Sequence, residues 1–232
     1  GTWTPPGVSR RAGSWLGLVL MATAAWGCAS VHPVPPQDTQ RLQARATYER
    51  GLGHLRNKQP ALALGALREA VALDGTVPLY HNTLGLLLLQ LQRPDLAVES
   101  FQRALTLDPG YADAYLNLGI SLAETGRWQE AVPQYRKALS FPTLAAEEVA
   151  HQNLGLALYH LRQYREAEGE LRFAISLDPH MEAAYYNLGL VLVATGRRTD
   201  AAAAFRKVRD IAPQSPLGRA AQDQLRGLGD GG

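Results

Sequence analysis

A single cysteine, Cys28, stands among 232 residues, which excludes an internal disulfide and any thiolate-rich metal site. Aromatic residues are only 7% of the chain, and most of its 46% apolar content is Ala and Leu. These two are the strongest apolar helix formers, so the mixture predicts packed helices rather than sheets. The six histidines (His32, His54, His81, His151, His160, His180) include no pair three or four residues apart. No HExxH, Gly-rich phosphate loop or GxSxG element occurs either, so metal, phosphate and acyl-transfer chemistry lack a motif. Glu147 and Glu148, or Glu166, Glu168 and Glu170, sit in helical surface contexts where solvated charge explains them. The expectation is a non-enzymatic protein with no cofactor and no metal.

An excess of charge of one sign is lacking too. Removing residues 1–27 takes away Arg10 and Arg11 and no acid, leaving 21 Lys+Arg against 21 Asp+Glu. Nucleic acid requires a cationic surface that displaces counterions, and no Lys/Arg cluster of that kind appears, so no nucleic-acid partner is expected. Nor is there an apolar run of membrane-spanning length. The longest, Gly13 to Ala25, has the length of a signal-peptide core and follows the positive pair Arg10-Arg11. The prolines of residues 1–7 do not suit such a leader, so its start is expected at Val8.

The stretch closes on Ala25-Trp26-Gly27-Cys28, which resembles a bacterial lipobox, where cleavage precedes a cysteine whose thiol carries lipid. Trp26, and Ala25 in place of Leu, depart from the usual pattern. Residues 1–27 are thus expected to be a signal peptide, with Cys28 the lipid attachment site and the new N-terminus. The absence of Asp after Cys28 implies, by the same resemblance, the periplasmic face of the outer membrane. Residues 28–43 begin with the Pro-rich ASVHPVPPQDTQ, which is expected to be an extended, solvated tether. Fatty chains contribute about 0.8 kcal/mol per buried methylene, enough to hold such a protein on a membrane without a spanning helix.

The rest of the chain repeats. Leu-Gly recurs at Gly85, Gly119, Gly155 and Gly189, at spacings of 34, 36 and 34 residues. Twelve residues after each Gly stands Ala97, Ala131, Ala167 or Ala201, and four further on Phe101, Tyr135, Leu171 or Phe205. Ala104, Ala138 and Ala174 follow in three copies, and Pro109, Pro179 and Pro213 close three of them. Gly and Ala permit close helix crossing, and Pro ends the second helix of a pair. A weaker copy upstream has Gly51, Ala63, Leu67 and Ala70 in frame. The pattern resembles the tetratricopeptide repeat and predicts an all-α solenoid of about five helix-turn-helix repeats: 44–77, 78–111, 112–147, 148–181 and 182–215. Residues 216–232 are expected to form a capping helix and a frayed tail.

In that frame the concave face is lined by positions three before, one after and four after each Gly, with an Asn two before it in three copies. The candidate partner-binding groove is therefore Asn82, Leu86 and Leu89; Leu116, Asn117 and Ile120; Gln152, Asn153, Leu156 and Tyr159; Tyr186, Asn187, Leu190 and Val193. The apolar majority suits an apolar or amphipathic segment of another protein, with the Asn amides available to its backbone. Packing of these side chains against neighbouring repeats is the alternative.

The leader ending in Cys28, the repeats filling the mature chain and the two extra residues near Phe141-Pro142-Thr143 together resemble the tetratricopeptide lipoproteins of type IV pilus biogenesis, the pilotins. That family usually has six repeats, whereas five and a helix are counted here. The resemblance implies an outer-membrane lipoprotein that binds secretin subunits and promotes their assembly. A general periplasmic adaptor for another envelope complex is the alternative.

Overall fold

A computed structural model of the chain describes residues 36–229. Among these, eleven helices and no strands occur: α1 (Pro36–Arg56), α2 (Pro60–Leu73), α3 (Pro78–Gln90), α4 (Pro94–Leu107), α5 (Ala112–Glu124), α6 (Trp128–Leu139), α7 (Glu147–His160), α8 (Tyr164–Leu177), α9 (Glu182–Ala194), α10 (Arg198–Ile211) and α11 (Pro216–Gly227). Each packs chiefly on its chain neighbours, and successive first helices (α3, α5, α7, α9) also touch. The result is an α-solenoid of five antiparallel pairs with α11 packed on α10. No described helix is long and apolar enough to cross a membrane.

The repeated glycines set how closely each pair packs. A Cβ added to Gly85, Gly119, Gly155 or Gly189 would lie only 2.7, 2.5, 2.5 or 2.5 Å from Phe101, Tyr135, Leu171 or Phe205 respectively. Those four side chains and the frame alanines Ala97, Ala131, Ala167 and Ala201 are fully buried, forming one column along the solenoid. Tyr135 Oη is buried without a hydrogen-bond partner among the described residues, and burial raises its pKa far above the ordinary phenol value.

The turn inside each pair follows one pattern. Lys58, Gln92, Gly126, Arg162 and Gly196 have φ of 56, 57, 74, 60 and 77°. The next amide donates back to the carbonyl five residues earlier: Gln59 to His54, Arg93 to Leu88, Arg127 to Leu122, Gln163 to Leu158 and Arg197 to Leu192, at 2.8–2.9 Å. A left-handed residue followed by this long backbone bond is the Schellman stop, which satisfies a carbonyl that the helix leaves free. The second helices α4, α8 and α10 end two residues before Pro109, Pro179 and Pro213. At two of these ends the carboxylates of Asp108 and Asp178 accept from the amides of Gly110 and His180 at 2.9 Å, turning the chain into the next repeat.

One place departs from the sequence expectation. The stretch 28–43, read as an extended tether, is helical from Pro36 onward, and its residues 28–35 lie outside the described residues. Pro36 opens the helix where its missing N–H is not needed, Asp38 suits the positive end of the dipole, and Gln40 Nε2 donates to Leu73 O at 2.8 Å. Between α6 and α7, where the spacing lengthens to 36, the link is tied down. Phe141 stacks on Tyr115 (centroids 5.9 Å apart), Lys137 Nζ lies 5.2 Å over the Phe141 ring, and the Ala145 amide donates to Asp113 Oδ1 at 3.2 Å.

Candidate functional site

The fourteen groove candidates lie on the first helices α3, α5, α7 and α9, and their accessibility varies along the solenoid. At one end Leu86 is 43% exposed, and at the other Val193 is 39% exposed. Leu89, Ile120, Gln152, Leu156, Tyr159, Tyr186 and Leu190 are half-buried, as are Asn117 and Asn153. Asn82, Leu116 and Asn187 are buried; successive first helices lie close enough to cover them, so their side chains serve packing between repeats.

The asparagines show how that packing uses polar groups. Asn117 Nδ2 donates to Asn82 Oδ1 at 3.1 Å, linking α5 to α3, and Asn153 Nδ2 donates to Val149 O at 3.0 Å within α7. Each bond uses one N–H of an amide that carries two, so the second N–H and the Oδ1 of Asn117 and Asn153 keep capacity for a guest backbone. Leu79 was not among the candidates, yet it is 46% exposed and stands seven residues before Leu86 on the same stripe of α3. The i, i+7 spacing is visible in the sequence; the frame used for the groove began one turn later.

The edge of this face carries an aromatic group near the α6–α8 turns. Trp128 and His160 stack face to face, with centroids 4.0 Å apart and planes 8° from parallel, and Tyr159 meets His160 edge-on. Burial of the imidazole lowers the pKa of His160 and favours the neutral ring. The other candidate position, Cys28, lies outside the described residues.

The sequence profile of the tetratricopeptide repeat family matches residues 82–146 and 153–216, more than half of the chain. No curated protein matches. Among solved structures, the chain is similar to PilW, described as a widely conserved type IV pilus biogenesis factor, with a TM-score of 0.71 and 22% identity over 82% of this chain and 89% of that one. It is also similar to PilF of Pseudomonas aeruginosa (TM-score 0.68, 22% identity, 84% and 86% covered) and to MamA of Desulfovibrio magneticus RS-1 (TM-score 0.68, 24% identity, 75% and 97% covered). At these identities the likenesses establish the fold. The chain belongs to the tetratricopeptide repeat family, whose members are generally non-catalytic, and it is a protein-interaction scaffold.

Proposed function

We propose that this scaffold is a lipoprotein held through Cys28 on the periplasmic face of the outer membrane, where it acts as a type IV pilus pilotin. Its inner face would hold a segment of a secretin subunit and limit that subunit's aggregation until the ring assembles. The observation that carries the protein-binding part is the inner face itself. It presents Leu79 and Leu86 at one end and Val193 at the other, with half-buried Ile120, Leu156 and Leu190 between them. The pilus part is supported by the match to PilW and PilF over more than four-fifths of each chain. An adaptor serving another envelope complex is the second reading, kept because the likeness to MamA matches that to PilF in TM-score, so the fold by itself does not select pili.

The test is a pull-down from detergent-solubilised envelope with the tagged, lipid-bearing chain and its Leu86→Glu and Leu190→Glu variants. The pilotin reading expects a secretin, recovered by the parent and reduced in both variants. Recovery of other envelope proteins alone retires it in favour of the adaptor. Fractionation of Cys28→Ser tests the anchor separately, since continued residence in the outer membrane would rule out lipid attachment at that residue.

A further inference from the structure

The outer grooves between consecutive second helices are closed at one junction and open at the next. Between α6 and α8, Arg136 Nη2 meets Glu166 Oε1 at 2.5 Å across the rim. Below that rim Glu170 Oε2 bonds His151 Nδ1 at 2.5 Å, and the Phe173 ring lies 4.5 Å from the imidazole. One repeat later the same positions are Arg172 and Asp200 at the rim, with Tyr185, Ala204 and Lys207 inside. Here the rim does not close. Arg172 turns back to Glu168 on its own helix at 2.8 Å, and Asp200 is held by Arg197 at 2.8 Å. Ala204 presents a methyl where Glu170 presents a carboxylate, and Lys207 has no hydrogen-bond or ionic partner among the described residues.

The consequence is a cleft of about 470 Å³ between α8 and α10, floored by Tyr185, Leu188 and Leu192 of α9. At 100° per residue these three lie roughly 130° around α9 from Tyr186, Leu190 and Val193, so the cleft faces away from the inner surface. Arg172, Arg197 and Lys207 line it together with Asp200; Glu168 and Asp200 pair with the two arginines, which leaves Lys207 as the cation without a counter-charge among the described residues. The surrounding chain has the same bias, with seven Lys/Arg against three Asp between Arg197 and Gly227.

We propose that this outer cleft is a second protein-binding site, which takes one apolar side chain from an acidic segment of a partner protein. The apolar floor and the volume suit a single large side chain. The uncommitted Lys207 ammonium selects a carboxylate flanking that residue and disfavours a basic segment. This site is independent of the inner face, so the scaffold can hold two partners at once.

The test uses fluorescence anisotropy with the full chain in detergent micelles and three dye-labelled peptides: Asp-Glu-Phe-Asp-Glu, Asp-Glu-Ser-Asp-Glu and Lys-Lys-Phe-Lys-Lys. The first should bind at least tenfold more tightly than the other two, and more weakly as salt rises. Lys207→Glu, a change at an exposed lining position, should weaken it at least tenfold at an unchanged melting temperature. Ala204→Glu, which restores the filling residue of the preceding repeat, should do the same where its melting temperature shows it folded. Leu86→Glu should have no effect. Equal binding of the three peptides overturns the proposal, as does loss with Leu86→Glu but not with Lys207→Glu. Sedimentation showing a dimer that Lys207→Glu dissociates would give the cleft to a second copy of the chain and also overturn it.

Discussion

Of the five left-handed turn positions, only Gly126 and Gly196 carry the residue that adopts this backbone freely, while Lys58, Gln92 and Arg162 do so against steric opposition from their own Cβ. Replacing these three with Gly is expected to stabilise the chain by about 0.5–1 kcal/mol each, measured by urea denaturation of the triple variant. The opposite change, Gly119→Ala, places a methyl 2.5 Å from Cε1 of Tyr135 and is expected to destabilise by about 1–3 kcal/mol in the same assay. The difference also explains what could be read in advance. Gly85, Gly119, Gly155 and Gly189 declare a close helix contact because little else occupies that position. Gln92 and Arg162 declare nothing, since their backbone angle is imposed by the helices on either side. The burial of Asn82 was likewise hidden, because periodicity gives the face of α3 but not how near Asn117 on α5 approaches it.

Between elements, the ion pairs are mostly exposed and of small consequence, with Glu168 and the His151–Glu170 contact more sheltered. Glu168 matters most between repeats. It accepts from Arg172 on α8 and from Arg197 in the turn before α10, at 2.8 and 2.9 Å, and so ties two repeats together. Burial pushes its pKa upward, but the hydrogen bonds from the two arginines outweigh that and hold it below the ordinary value of 4.5. A carboxylate with a lowered folded pKa stabilises fully above its unfolded pKa and loses that contribution as pH falls through the folded value. Glu168→Gln is therefore expected to lose less stability than the parent between pH 7 and pH 3, read as the shift in urea midpoint. The helices themselves were legible from the Gly, Ala and Pro frame. The early start of α1 was not, because a proline such as Pro36 marks an extended segment and a helix's first residue equally well.

At the scale of the whole chain, charge is unevenly distributed. Thirteen Asp/Glu stand against seven Lys/Arg between Pro94 and Gly196, whereas the segment beyond Arg197 is basic. Acidic partners are thus steered towards the C-terminal end and away from the middle. Continuity between repeats decides how the solenoid unfolds, since each repeat is stabilised only by its neighbours. The lengthened link between α6 and α7 is the one interruption of the 34-residue spacing among the four strong copies, and Phe141 on Tyr115 holds it. Phe141→Ala is expected to split a single thermal transition into two, seen by calorimetry, while leaving the helix content unchanged.

That interruption is absorbed outside the helices. The two extra residues fall in the link, where Phe141 on Tyr115 and the Ala145 amide on Asp113 take them up, while the buried column of Phe101, Tyr135, Leu171 and Phe205 runs on past it. The chain is like a ladder with one spliced rail: the splice adds length and leaves the rungs in step. An insertion in the sequence is therefore no insertion in the surface that a guest meets.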